Sequence, residues 1–259
     1  MRTCISVARK ELRDHLRDIR SLCSTAVYAL MGPAVVALVA LSPPASEPRG
    51  PHLLLSMASV FVLVSACTGG MNVAMDVMAG ERERRSLEPL LLNRASWRDI
   101  LVGKWIAVSV FAVGSVTVSL AGFSLLLAKE ASASPGAADP LLLAWACLGL
   151  IPLALMAAAL QLVVSAQCRS TKEARSWLMM AVFVPMVAGM GIVFFPGWTD
   201  PWWMVAPVVG QQVMISSSLT GGSVSPLHGL TLTGTTAACT VAILLAGSAG
   251  LKQDDVLAD

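Results

Sequence analysis

"AGERERRSLEPLLLNRASWRDILVGK", residues 79–104, crowds charges of both signs between two long apolar runs that carry almost none. A loop that only joins two helices needs a handful of polar residues, so this one's length and charge need a reason. Glu81 and Arg85 stand four apart, in the order that favours a helical ion pair. Pro89 has no N–H and clashes with the preceding turn, so it ends or restarts that helix. Ser96 followed by Asp99 resembles a capping box and starts the next helix. The spacing therefore predicts a short charged helix, a break at Pro89–Leu92, a turn at Asn93–Ala95 and a new helix. Such a knob is stiff enough to press on a partner, although a solvated loop face accounts for the same spacing.

The flanking runs define the class. Of the 259 residues, 56% are hydrophobic and 13% charged, against roughly 25% charged in typical soluble proteins. The charges fall in blocks, leaving apolar stretches long enough to cross a bilayer. Six spans are expected, at about 23–41, 53–75, 104–128, 141–166, 178–196 and 229–251. The fold class is therefore an all-α integral membrane protein, a six-helix transmembrane bundle occupying 23–259 after an N-terminal amphipathic helix over 1–22. Sixteen of the 18 Lys and Arg lie in or beside segments 1–22, 76–104, 167–177 and 252–259, and only Arg49 and Lys129 fall on the other side. That bias places both termini and the charged stretch in the cytoplasm, in a multi-pass protein of the cell (inner) membrane. The six cysteines avoid the outer loops and form no CxxC or Cys/His cluster, so they read as small core residues.

In residues 5–22, Ile5, Ala8, Leu12, Leu16, Ile19 and Leu22 recur at steps of three and four, with Arg9, Lys10, Arg13, Arg17 and Arg20 on the remaining face. A basic amphipathic helix before a span belongs in the inner headgroup layer, here seated by Leu12, Leu16 and Ile19. A soluble partner-binding helix is the alternative. His15 reads as one more polar-face residue. Glu11, Asp14 and Asp18 argue against a cleavable signal peptide, so the first span is expected to stay as an anchor. On the outer side, segment 197–228 carries Trp198, Trp202 and Trp203, which suit an interfacial aromatic belt. Its apolar part, Val205 to Leu219, is 15 residues. That is about 22 Å as a helix against roughly 30 Å of hydrocarbon, so it is expected to be re-entrant or interfacial.

Several chemistries find no support. No GxxxxGK[ST] loop occurs, and Gly103-Lys104 is followed by Trp105 at the start of an apolar run. No HExxH or GxSxG motif is present, and His52 and His228 stand at membrane edges without a cluster. The central parts of the second to sixth spans lack the ionisable residues that ion-coupled carriers place there. Asn72, Asp76, Gln161 and Gln167 lie near span ends, as boundary or interhelical hydrogen-bonding groups. The pairs Gly114-Ser115 and Gly189/Gly191, and Gly247 with Gly250, read as close-packing sites between helices.

Gly80, Glu81, Arg82, Glu83, Arg84, Leu87, Glu88, Leu90 to Leu92, Ile100, Gly103 and Lys104 together resemble the hallmark of permease subunits of type-2 ABC transporters, the sodium-export and multidrug-like group. The opening "ARKELRDHLRDIRSL" is similar to that family's elbow helix, and "DDVL" to its acidic tail. The resemblance covers the whole layout and about 25 residues of specific motif. It implies that Glu81, Arg82, Glu83, Arg84, Arg85, Ser86, Leu87 and Glu88, within 79–96, form a coupling helix seated in a cytoplasmic ABC ATPase. It also implies a second permease copy, identical or not. ATP and Mg would be used by the partner; no cofactor, metal or nucleic acid is expected on this chain. Arg85 stands where the family often has Gly, and Asn93-Arg94 replaces a common Thr-Pro. The outer loop after the first span lacks the large domain usual in sodium exporters, which leaves the substrate open. An ion-coupled carrier and a non-transporting docking or assembly protein remain as alternatives.

The topology is directly testable. In a cysteine-free background, single cysteines at Ser46 and Ser223 should label with an impermeant thiol reagent on intact cells, and one at Ser86 only after lysis. Labelling of position 86 from outside would reverse the orientation.

Overall fold

With no water in the hydrocarbon to satisfy N–H and C=O groups, an apolar chain closes its hydrogen bonds within helices. The computed structural model describes residues 2–41, 51–84, 96–130, 140–195, 204–219 and 225–250, and its regular elements among these are all helical. They are α1 (Arg2–Arg17), α2 (Ile19–Leu41), α3 (Pro51–Thr68), α4 (Met71–Met75), a π-helical turn (Asp76–Gly80) and α5 (Glu81–Glu83). Then follow α6 (Trp97–Glu130), α7 (Pro140–Gln167), α8 (Thr171–Phe194), α9 (Val209–Leu219) and α10 (Pro226–Gly250). Six stretches are long and apolar enough to cross a membrane: Ser21–Val39, Leu55–Glu83, Trp97–Leu126, Leu148–Gln167, Thr171–Phe194 and Pro226–Ala249. The six expected spans are all there. The second and third extend further at their charged ends than hydropathy alone suggests, because those ends continue as helix.

The second span is the most enclosed and α6 and α7 flank it, sharing a core that includes Leu63, Val108, Ala112, Leu150, Leu153 and Leu162. Close approach depends on glycines. A Cβ at Gly69 would collide with Ser115, and one at Gly70 would lie 2.8 Å from Val108 Cγ1. This Gly-Gly break separates α3 from α4, and the Gln161 side chain donates to the Cys67 carbonyl beside it. Gln161 is thus an interhelical hydrogen-bonding group. Gly122 likewise makes room for the ring of Pro33, 2.9 Å from where its Cβ would be. The small-residue reading holds for Gly189, which faces Val60, and Gly247, which faces Val163. It fails for Gly114 and Gly191, which have nothing within 4 Å of a built Cβ. Those two face away from neighbouring helices, a direction that a residue type does not encode.

Segment 197–228 contributes α9, whose 11 residues span about 16 Å. It packs against α3, α7 and α8. Gln212 donates to Ser59 at 2.7 Å, and Gln211 donates to Thr236 at 2.8 Å while accepting from the Val208 N–H. That last bond holds Val208 at φ 75°, a costly conformation for a β-branched residue. The tryptophans of the expected aromatic belt lie outside the described residues.

These contacts separate two kinds of glycine. Gly69→Val should lower the thermal midpoint and yield of monodisperse protein in detergent, since overpacking costs about 1–3 kcal/mol. Gly114→Val should leave both near wild type. Equal tolerance at the two positions would contradict the packing described.

Candidate functional site

The charged stretch is rooted where the second span ends. From Met71 to Glu83 the chain runs through α4, one π-helical turn and α5. A widened turn interrupts the regular ladder of backbone bonds, and within it the Val77 carbonyl accepts from Lys104 Nζ at 2.6 Å. Lys104 also donates to Glu81 at 2.6 Å and to Glu11 at 3.3 Å. An ammonium has three N–H donors, so all three are used, and the side chain is wholly buried. One cation thereby joins three elements: α1 through Glu11, α5 through Glu81 and its own α6. Its neighbour Gly103 brings α1 close, because a Cβ there would lie 2.8 Å from the Cys4 carbonyl and 2.9 Å from Val7 Cβ. Removing one member of a buried ionic set costs about 3–5 kcal/mol, since the remainder is left uncompensated.

The other charges of the motif spread over the same end of the bundle. Arg82 donates to the Ala166 carbonyl at the end of α7, at 3.4 Å. Glu83 accepts from the backbone N–H and the hydroxyl of Thr171, the first residue of α8, at 3.1 and 2.9 Å. Arg84 donates to Asp76 at 3.0 Å. Gly80 leaves space for that carboxylate, whose Oδ1 would lie 2.8 Å from a Cβ. Four consecutive side chains thus bind α6, α7, α8 and the π turn.

Several expectations change here. The Glu81 carboxylate, expected on a solvated helix face, accepts from the buried Lys104. Arg85, Ser86, Leu87 and Glu88, and the break at Pro89, lie outside the described residues. His15 is not a solvated polar-face residue. It is buried, with Nδ1 3.3 Å from Ser21 Oγ, Nε2 3.9 Å from Asp76 Oδ2 and its ring edge-on to Phe111. The stripe of α1 also divides. Cys4, Ala8, Glu11 and His15 face the bundle and Leu12 is half-buried on the core, while Ile5, Leu16 and Ile19 are exposed. The protein-facing side is one step round the helix from the apolar stripe, leaving Leu16 half-exposed and Ile19, the first residue of α2, largely exposed. The capping box is present: Asp99 N–H donates to Ser96 Oγ at 3.2 Å and the Ser96 hydroxyl to Asp99 at 2.9 Å.

Lys104 and Glu11 are the site residues that sequence reasoning passed over. A signal existed: a helix that starts at the Ser96 cap carries Lys104 two turns inside, where an ammonium must be neutralised. Two polar cavities of about 370 and 380 Å³ flank this node, one between α2, α4 and α8, the other between α1 and the π turn. Among the described residues, no group of three or more His, Cys, Asp or Glu is placed to hold a metal ion.

An all-helical bundle of six apolar spans, with a rooted charged segment between the second and third, fits a membrane transport subunit. Residues 5–249 match the sequence model of the ABC-2 family transporter protein, and the chain belongs to that family. It is 32% identical over 226 residues to the ABC transporter permease protein NatB of Bacillus subtilis (strain 168). That match covers 82% of this chain and 57% of the relative, so the chain spans little more than half of the relative's length.

Proposed function

We propose that this chain is the permease subunit of an ATP-binding-cassette exporter of the inner membrane, with both termini in the cytoplasm. It would act with a second permease copy and with cytoplasmic ATPase subunits that use ATP and Mg. The supporting observation is the way the motif is anchored. Glu81, Arg82, Glu83 and Arg84 hold the end of the second span to α6, α7, α8 and the π turn. A segment leaving so firm a root transmits a push from a soluble partner into several spans at once. Residues Arg85 to Glu88 would then supply the contact, chosen by charge complementarity. An ion-coupled carrier gains little from Lys104, whose donors are all engaged at the inner end of its span.

Glu81 is needed inside the bundle, so the contact is better tested with Arg85→Glu combined with Glu88→Lys. Surface changes of this kind shift stability by no more than about 0.5 kcal/mol. Loss of a buried charge contact at an interface costs about 2–5 kcal/mol. The variant, with its topology checked, should keep its thermal midpoint while co-purification of the ATPase and ATP-driven transport in vesicles fall at least about tenfold. Full ATPase association together with full transport would reject the coupling role.

A further inference from the structure

We propose that Lys104 is a positioning residue for transport, tying the elbow helix α1 and the root of the charged segment to the third span so that the three move as one body. This rests on the reading of the chain as an ATPase-driven permease, and it adds the residue through which the movement passes. Lys104 has no exposed surface, so it cannot touch a soluble partner and acts only through what it holds.

The geometry makes that role specific. Glu81 and Lys104 bracket the whole charged stretch, yet their side chains meet at 2.6 Å, so the two ends of the loop are closed on each other. A force on residues between them therefore reaches the second and third spans together. Glu11, only 5% exposed, brings in α1, which lies before the first span and adjoins neither in sequence. The Val77 carbonyl adds the π turn, where a rotation of α5 is most easily absorbed. Packing alone would hold these helices side by side. A cation with acceptors on α1, the π turn and α5 fixes their register as well, because slippage by one residue leaves a buried charge without a partner.

The test uses the full chain with its ATPase in vesicles, and the permease alone for a second readout. Lys104→Met by itself strands two carboxylates and risks misfolding. The informative variants are therefore Glu81→Gln, which keeps Lys104 paired with Glu11, and the charge-free combination Lys104→Met, Glu11→Gln, Glu81→Gln. Both should retain the ATPase, while transport per ATP hydrolysed falls about tenfold. In the permease alone, spin labels on Arg13→Cys and Arg84→Cys in a cysteine-free background should give one narrow distance distribution with Lys104 in place and a broad one in the charge-free variant. An unchanged distribution overturns the tie, and a broadened one with full transport per ATP overturns its role in transport. If the unmodified complex couples no ATP hydrolysis to transport, the permease reading fails, and the spin-label result still decides whether Lys104 ties α1 to the root of the charged segment.

Discussion

A buried ammonium has to find an acceptor for each of its hydrogens, and at Lys104 that requirement organises the charged end of the bundle. The three acceptors come from an N-terminal helix, a carbonyl exposed by a π-helical turn and the first residue of the charged motif. Glycines make the arrangement possible. Gly103 lets α1 lie against α6, and Gly80 leaves space for Asp76 beside the motif. Three acidic residues at this end of the bundle have cationic partners: Glu11 and Glu81 meet the lysine, and Asp76 takes Arg84.

The six spans, the capping box and the membrane class were legible in the sequence, because each depends on local composition or on residues three apart. The tie between Glu11 and Lys104 was not, since its partners are 93 positions apart and neither lies in a periodic pattern that marks the other. His15 was misread for a similar reason. Helical periodicity separates apolar from polar faces, but it does not say which of the two meets the protein. In α1 the side with Cys4, Ala8, Glu11 and His15 packs on the bundle, leaving apolar Ile5 and Leu16 exposed, as is Ile19 at the start of α2. The same limit explains Gly114 and Gly191, where smallness suggested a neighbour that the fold does not provide.

Burial is uneven across the spans. The second is enclosed, whereas α2, α8 and α10 leave large apolar side chains such as Leu38, Phe183 and Leu245 uncovered by this chain. In a bilayer such residues need no protein neighbour, so the exposure is consistent with a bundle whose solvent is lipid. The polar network around Lys104 therefore supplies what dispersion among apolar helices does not, a fixed register between particular elements.

Hydrogen exchange of the permease in lipid nanodiscs tests this account most directly. Backbone amides from Asp76 to Arg84 should exchange slowly in the unmodified protein, and much faster in the charge-free combination at positions 104, 11 and 81. Amides in the middle of α6 and α7 should stay equally protected in both. Unchanged protection of residues 76–84 in that variant would contradict the claim that the buried lysine holds the charged segment to the bundle.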